Sequence, residues 1–481
     1  MQTVTVAYGD GIGPEIMEAV LYILKESKAP IKIDSIEIGE KLYKRNYTSG
    51  ISEEAWNTIS RNNILLKAPI TTPLGGGYKS LNVTLRKALG LFANIRPIMS
   101  YHPFIKTMHP KLDIIIVREN EEDLYAGIEY RHTHNCYESL KLITETGCER
   151  IIRYAFEYAK KNNKKLVSAF TKDNIMKFSD GIFHKTFEKI AKEYPDLNTN
   201  HYLMDIGTAK IAARPEIFEV IVTSNLYGDI ISDVAAEISG SVGMAGSANI
   251  GHDYAMFEAV HGSAPDIEGK NIANPSGLLN AAIMMLVHMG LADYANLIEN
   301  AWKKTIEDGI HTADIYNDQS IAKVSTSDFA KELVSRLKIE PEKIAKAIYI
   351  NSSSNINQQL DKVNIDTSAV KTLIGVDVFF DLKDTNASLI AEKITKLDLI
   401  GLELKTISTK GLKLWPHMQD NFNILSDHWC CRFMKKNDII VSHEEISNLL
   451  NIFSKEGLDF VQTCNLYKFD DKLGFSLAQG E

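Results

Sequence analysis

The chain opens on an apolar alternation at Val4, Val6 and Tyr8, then a turn carrying Gly9, Gly11 and Gly13, then Pro14 and Glu15. This pattern predicts a strand, a tight turn and a helix. Proline wastes no donor in a first helical turn, and a glutamate there complements the positive end of the helix. The glycine spacing departs from the dinucleotide-binding G-x-G-x-x-G, so the turn is expected to be structural and the phosphates of any cofactor to be held elsewhere. Farther along, the apolar runs DIIIVREN (residues 113–120), KLVSAFTK (165–172) and FEVIVTSN (218–225) alternate with amphipathic stretches of helical length, among them residues 148–165 and 181–194. Continuous apolar strands between helices describe a sheet buried on both faces, an α/β architecture. Residues 278–295 are the most apolar long stretch, but His288 and Asp293 interrupt them. They predict a buried helix and no membrane span.

The periodicity breaks at residues 338–369, where a Ser/Asn/Gln-rich tract predicts a linker. Residues 370–481 then read as strand, helix, three strands, helix and strand, a small α+β domain with no catalytic cluster of its own. A stability or oligomerisation role is its expected use.

Composition narrows the partners. The 62 acidic and 53 basic residues leave a net charge of -9, which argues against nucleic acid or an anionic membrane. Cys136, Cys148, Cys430, Cys431 and Cys464 never fall in C-x-x-C spacing, so neither a disulfide framework nor a cysteine zinc site is expected. No charged n-region and apolar h-region precede the first strand. The expected compartment is cytoplasmic.

Four segments carry candidate chemistry. In NLYGDIISD (residues 225–233), Asp229 and Asp233 lie four apart after a strand, a spacing that puts both carboxylates on one helix face and suits a hard divalent cation. In TTPLGGGYKSLNVTLRK (71–87), Gly75, Gly76 and Gly77 form a loop able to approach a ligand. Ser80 sits at a predicted helix N-cap, with Asn82 and Arg86 on one face beyond it, together an anion pocket. Arg96 and Arg118 each end an apolar run, and their forks match carboxylates. The loop at residues 258–275, with His261, Gly262, Pro265 and Asp266, is suited to wrapping an adenosine. Each segment also has a plain reading, respectively a solvated helix face, an ordinary cap, surface ion pairs and a simple connection.

Read together, GDGIGPEI, TTPLGGGYKSLNVTLRK, RENEEDLYAG, TKDNIMK, NLYGDIISD and HGSAPDI with ANP resemble, in order and over about the first 335 residues, the decarboxylating isocitrate and isopropylmalate dehydrogenase family. The tail is similar to the extra domain of a longer subgroup. The resemblance implies a fold that is not a Rossmann fold. A large domain (residues 1–91 and 240–337) would share its sheet with a small one (92–124 and 145–239) that bears a dimer clasp at 125–144. Ser80 and Asn82 match the isocitrate-oxidising branch, in which they hold a carboxylate that isopropylmalate lacks; a pocket of polar donors rejects an alkyl analogue. The implied reaction is metal-assisted oxidative decarboxylation of isocitrate to 2-oxoglutarate, a step of the tricarboxylic acid cycle. Oxidation of isopropylmalate, homoisocitrate or tartrate is the alternative, as is a non-catalytic regulatory subunit.

By the same resemblance Arg86, Arg96 and Arg118 neutralise substrate carboxylates, and Asp205, Asp229 and Asp233 hold Mg2+ or Mn2+. Lys172 handles the hydroxyl proton and Tyr125 supplies a proton to the product. Lys172 and Asp205 come from the neighbouring subunit, which implies a homodimer with shared sites. The cofactor falls to Thr72, His261, Gly262, Ser263, Ala264, Pro265, Asp266, Ile267 and Asn274. NADP-linked members commonly carry Lys-Tyr where this chain has Asp266 and Ile267. A carboxylate bonds a ribose 2'-hydroxyl and repels a 2'-phosphate, so NAD is the expectation. NADP stands as the alternative, with Lys270, Lys304 or Lys323 as substitute charge. Ser80 also matches a serine at which some bacterial relatives are inactivated by phosphorylation.

Overall fold

The apolar runs become strands of one sheet. A computed structural model describes residues 2–47, 49–73, 79–351, 367–383, 385–416, 426–436 and 439–481. Gly75, Gly76 and Gly77, with residues 352–366 of the expected linker, lie outside the described residues. The first strands are β1 (Gln2–Ala7), β2 (Ile31–Ile36), β3 (Ile64–Lys67), β4 (Ala93–Met99) and β5 (Asp113–Glu119). A short hairpin, β6 (Glu129–Arg131) and β7 (Tyr137–Ser139), follows. The sheet resumes with β8 (Leu166–Thr171), β9 (Asn198–Leu203), β10 (Val220–Thr223), β11 (Gly246–Ile250) and β12 (Ala255–Ala259).

Across the sheet the order is β2-β1-β3-β12-β11-β4-β5-β10-β8-β9. β11 runs antiparallel to both β12 and β4, and β4 antiparallel to β5, whereas the remaining pairs are parallel. Because β5, β10, β8 and β9 point the same way, their carboxyl ends share one edge of the sheet, where α/β proteins place ligands. Arg118, Asn225, Lys172 and Asp205 lie at or just beyond those four ends.

Helices cover the sheet. They are α1 (Gly13–Glu26), α2 (Glu40–Lys44), α3 (Glu53–Asn62), α4 (Leu81–Ala88), α5 (Glu145–Lys161), α6 (Ser179–Ala191), α7 (Met204–Ala213) and α8 (Asn225–Ser239). α9 (Ser276–His288), α10 (Ala292–Glu307) and α11 (Thr326–Ser335) follow, with a two-stranded pair, β13 (Ile310–His311) and β14 (Ala322–Lys323), between the last two. The apolar run at 278–295 splits after His288, its first part forming α9 and its end the start of α10; Leu278, Leu279, Ala282, Met285 and Leu286 are all fully buried along α9. Among the described residues no helix is long and apolar enough to cross a membrane.

The chain forms two compact units, Met1–Ala126 with Leu142–Val363, and Gly127–Lys141 with Asn364–Glu481. The second has its own antiparallel sheet, built from β15 (Lys371–Asp381), β16 (Glu403–Thr409), β17 (Leu412–Trp415), β18 (His428–Met434), β19 (Phe460–Phe469) and β20 (Lys472–Leu473) in the order β17-β16-β18-β15-β19-β20. α12 (Ala387–Thr395) and α13 (His443–Lys455) complete it around a core of Val376, Val378, Phe380, Ile407, Phe433 and Phe453. This is the additional α+β domain expected from the tail, with β20 as an extra short strand. The β6–β7 hairpin belongs to this unit: Gln462 donates to Glu138 at 3.2 Å, and the rings of His132, His428 and Phe379 stack in succession.

Candidate active site

Arg118 ends β5 and faces the first turn of α8. Its Nε and Nη2 both donate to Asn225 Oδ1, at 3.1 and 2.8 Å, and its Nη1 pairs with Asp229. Arg96, in the middle of β4, reaches Asp229 Oδ1 at 3.2 Å, Ser232 Oγ at 2.6 Å and Asp233 Oδ1 at 3.5 Å. Tyr125 donates its hydroxyl to Asp229 Oδ2 at 2.5 Å, and the Arg118 guanidinium lies over its ring. Five of the expected residues therefore meet. Gly228 makes the approach possible, since a Cβ there would lie 2.6 Å from both Cβ and Cγ of Arg118.

Arg86, on α4, donates to Glu258 Oε1 at 2.9 Å. Glu258 also binds Lys67 Nζ at 2.7 Å and Asn249 Nδ2 at 2.9 Å, all inside the protein. Burial opposes the Glu258 charge, but Lys67 and Arg86 outweigh it and hold the carboxyl well below the usual range. The arginines are crowded: burial, then repulsion from Arg96 and Arg86, lowers Arg118 to about 10. Arg86 Nε and Asn82 Oδ1 are buried without a partner. Crowded guanidinium charge beside unmet polar atoms is the complement of a polyanion.

Ser80 stands at the N-cap of α4, yet its hydroxyl caps nothing. Thr72 donates to it at 3.3 Å, so the Ser80 side chain turns toward the preceding loop and away from the helix end.

The acid–base groups follow from their surroundings. Burial favours a neutral Asp229, but Arg118 and then Arg96 prevail and keep its carboxyl below the ordinary range. Tyr125 is pushed up by burial, with Asp229 adding to the effect and Arg118 opposing it, which keeps the hydroxyl protonated. Burial also raises Asp233, partly offset by Arg96.

Lys172 and Asp205 form a separate pair. Lys172 Nζ donates to Asp205 Oδ2 at 2.8 Å, and the Lys172 backbone N–H donates to the buried Asp180 at 2.6 Å. Among the described residues neither shares a hydrogen bond or ion pair with Asp229 or Asp233. The three aspartates offer only carboxylate oxygens, a donor set that fits Mg2+ or Mn2+ and not a softer ion. Asp229 and Asp233, one turn apart on α8 and both facing Arg96, are the two that a single chain brings together.

The glycine-rich turn after β1 proves to be a brace for the loop at residues 261–274. Ile12 N–H donates to Ser263 O at 2.9 Å, and a Cβ on Gly11, whose φ is +60°, would sit 2.0 Å from that oxygen. Thr71 donates to Ser263 Oγ at 2.9 Å, and the Asp10 carboxylate accepts from the backbone of Thr71 and Glu40. Glu15 accepts from the Asn271 and Ala273 N–H groups, at 3.1 and 3.2 Å. Ala264 takes the left-handed conformation, φ +40°, ahead of a short 3-10 turn at Pro265–Ile267. Strain of this kind in a non-glycine residue gathers at ligand-holding loops.

His261 is half-buried, and its buried Nε2 has no partner; burial lowers its pKa and keeps the ring neutral. Gly262 has open space where a side chain would begin. The Asn274 amide is committed to Asp314 and to the Ser276 N–H, both at 2.9 Å, so it shapes the loop. Asp266 and Thr72 are exposed.

Sequence reasoning missed Asn225, Gly228, Lys67 and Glu258, and took Glu15 for a helix-end charge alone. Glu258 had a legible signal, a lone carboxylate inside the apolar run AMFEAV. Gly228 had none, because its need arises from a strand distant in sequence.

The family model described as "Isocitrate/isopropylmalate dehydrogenase" matches residues 3–333, and one described as "Bacterial isocitrate dehydrogenase, C-terminal domain" matches residues 371–481. "Isocitrate dehydrogenase [NADP]" of Rickettsia felis is 66% identical over 479 residues, 99% of each chain. The Thermus thermophilus protein of the same name is 38% identical over 486 residues, covering 99% of this chain and 96% of its own. The crystal structure of the TT0538 protein from Thermus thermophilus superposes with a TM-score of 0.93 at 37% identity, over 100% of this chain and 96% of that one. These NADP-named relatives overturn the expectation of NAD. Its premise was a carboxylate that repels phosphate, but Asp266 is exposed on its turn, where water screens its charge, and Lys270 follows on the same loop.

Proposed function

Because the chain belongs to the isocitrate/isopropylmalate dehydrogenase family, we propose that it oxidises isocitrate with NADP and releases CO2 to give 2-oxoglutarate. The observation that carries this reading is the convergence of Arg96, Arg118, Tyr125 and Asp229 at one sheet edge, beside the unmet polar atoms of Asn82 and Arg86.

Arg86, Arg96 and Arg118 bind the carboxylates of the trianion and orient it, with Ser80 and Asn82 on the group that distinguishes isocitrate from an alkyl malate. Lys172 takes or relays the C2 hydroxyl proton as hydride leaves for the nicotinamide. A divalent ion held by Asp229, Asp233 and Asp205 would supply Lewis-acid polarisation of the oxygen at C2. After CO2 departs, Tyr125, held protonated by burial, donates to the resulting enolate carbon. His261, Gly262, Ser263, Ala264, Pro265, Asp266, Ile267, Asn274 and Thr72 line the cofactor's place. Lys270 and Lys323 supply charge for the 2'-phosphate: Asn271 O accepts from Thr326 N–H, which brings the segment after β14 to the loop. Lys304 is committed to Asp308, Glu307 and Glu342 and is excluded from this task.

Lys172 and Asp205, paired with each other and away from Asp229, serve the site of a second copy in a homodimer. The test is NADP reduction by isocitrate with and without a chelator, with NAD and isopropylmalate in parallel. Absence of chelator-sensitive 2-oxoglutarate production overturns the reading. Lys172→Met and Tyr125→Phe chains, each nearly inactive, should recover activity in mixed dimers; no recovery after demonstrated subunit exchange refutes shared sites.

A further inference from the structure

A second set of donors lies outside this centre. Asp173 follows β8, His184 is on α6 and His201 is on β9, and their donor atoms all lie within 4.8 Å of one another. Asp173 Oδ2 is 2.7 Å from His184 Nδ1, and its other oxygen is 3.9 Å from His201 Nε2. The two imidazoles are stacked, with centroids 3.6 Å apart and planes at 15°. Thr171 Oγ1 is 2.7 Å from His201 Nε2, and Glu188 Oε1 is 3.6 Å from the remaining nitrogen of His184.

A His–Asp hydrogen bond accounts for His184 alone. His201 Nε2 instead meets the Thr171 hydroxyl at 2.7 Å and also faces the second carboxylate oxygen at 3.9 Å, too long for a hydrogen bond. Two imidazoles stacked this closely repel if both are charged, and burial together with His184 lowers the His201 pKa. Two imidazoles and one carboxylate, drawn from three segments, are the donor inventory of a metal centre.

We propose that Asp173, His184 and His201 form a second metal site, selective for a borderline ion such as Zn2+ or Co2+ and distinct from the all-carboxylate centre suited to Mg2+. Ligand atoms about 2.0–2.1 Å from such an ion stand roughly 3.3 Å apart in a tetrahedron. The observed separations bracket that value, so rotation of the rings that opens their planes closes the site. Thr171 or water supplies the fourth position. Thr171 and Asp173 flank Lys172, so an ion here grips both neighbours of that lysine.

The test is a Co2+ titration of the full-length protein in a large excess of Mg2+, followed by visible absorption and by equilibrium dialysis. One Co2+ per chain is expected, displaced by Zn2+, with binding weakened at least tenfold in His184→Gln and in His201→Gln. Proton NMR of the Co2+-loaded wild type should show contact-shifted N–H signals from two imidazoles, a readout that needs no variant. Failure of the wild type to bind Co2+ beyond the Mg2+-competed sites, unaltered affinity in either folded variant, or absence of the two imidazole signals overturns the proposal.

Discussion

Arg86, Arg96 and Arg118 hold their positions through side-chain partners, whereas the loop from His261 to Asn274 is held mainly through its backbone. The arginine pocket gathers charge: Glu258, Asp229 and Asn225 each fix a guanidinium, and the guanidiniums repel one another. The loop gathers shape: Ile12 N–H meets Ser263 O, and Glu15 takes the N–H groups of Asn271 and Ala273. Loss of one side chain in the pocket strands a buried charge. Loss of one in the loop shifts a contour that several other bonds still define.

The largest expected effect tests the buried triad. Glu258→Gln leaves Lys67, which is wholly buried, without its counter-charge and should destabilise the protein by about 3–5 kcal/mol, read by chemical denaturation. A loss under ~1 kcal/mol breaks the contrast. Next comes Glu119, whose buried carboxyl is raised to about 7 by desolvation, against the N–H bonds it accepts from Glu121 and Glu122. A folded value above the unfolded one means that its contribution is fully present below about pH 4.5 and is lost as pH rises through about 7. Glu119→Gln should remove a stability slope on the order of 3 kcal/mol across that window. A wild-type slope retained in the variant assigns it to other groups.

Gly228→Ala pushes a Cβ into Arg118 and should lower kcat/KM for isocitrate about 100-fold while the fold persists, by circular dichroism. Retained efficiency shows that the pocket yields as the loop does. The smallest effect belongs to the loop: Lys270→Ala and Lys323→Ala should each raise KM for NADP by about tenfold, roughly 1.4 kcal/mol, with little change for NAD. Equal losses with both cofactors remove these lysines from the 2'-phosphate.

The same contrast governs what was readable beforehand. Strands with continuous apolar runs, the apolar α9 and the element order of the tail were legible because burial writes itself into local periodicity. Arg96, Arg118 and Asp229 were legible because charged chemistry beside strands is rare enough to notice, whereas Tyr125 was readable only from the family pattern. Asp266 was read for its charge alone, when its exposure on the turn decides how strongly that charge is felt. Gly228 and Lys67 act across long sequence separations, and nothing local to them records the Arg118 side chain or the Glu258 carboxylate that they meet. Ser80 was placed at its helix end, but its hydroxyl orientation depends on Thr72 in the loop before.

The contact between Gly11 and Ser263 also has a bearing on biosynthesis. β12 inserts beside β3, and the turn after β1 rests on a carbonyl encoded some 250 codons later. At about 5–20 residues per second, the amino-terminal strands wait roughly tens of seconds on the ribosome before their final neighbour emerges. A nascent chain of this protein therefore exposes an unfinished sheet edge through up to about half of its translation, and that interval is when a holding chaperone has the most to cover.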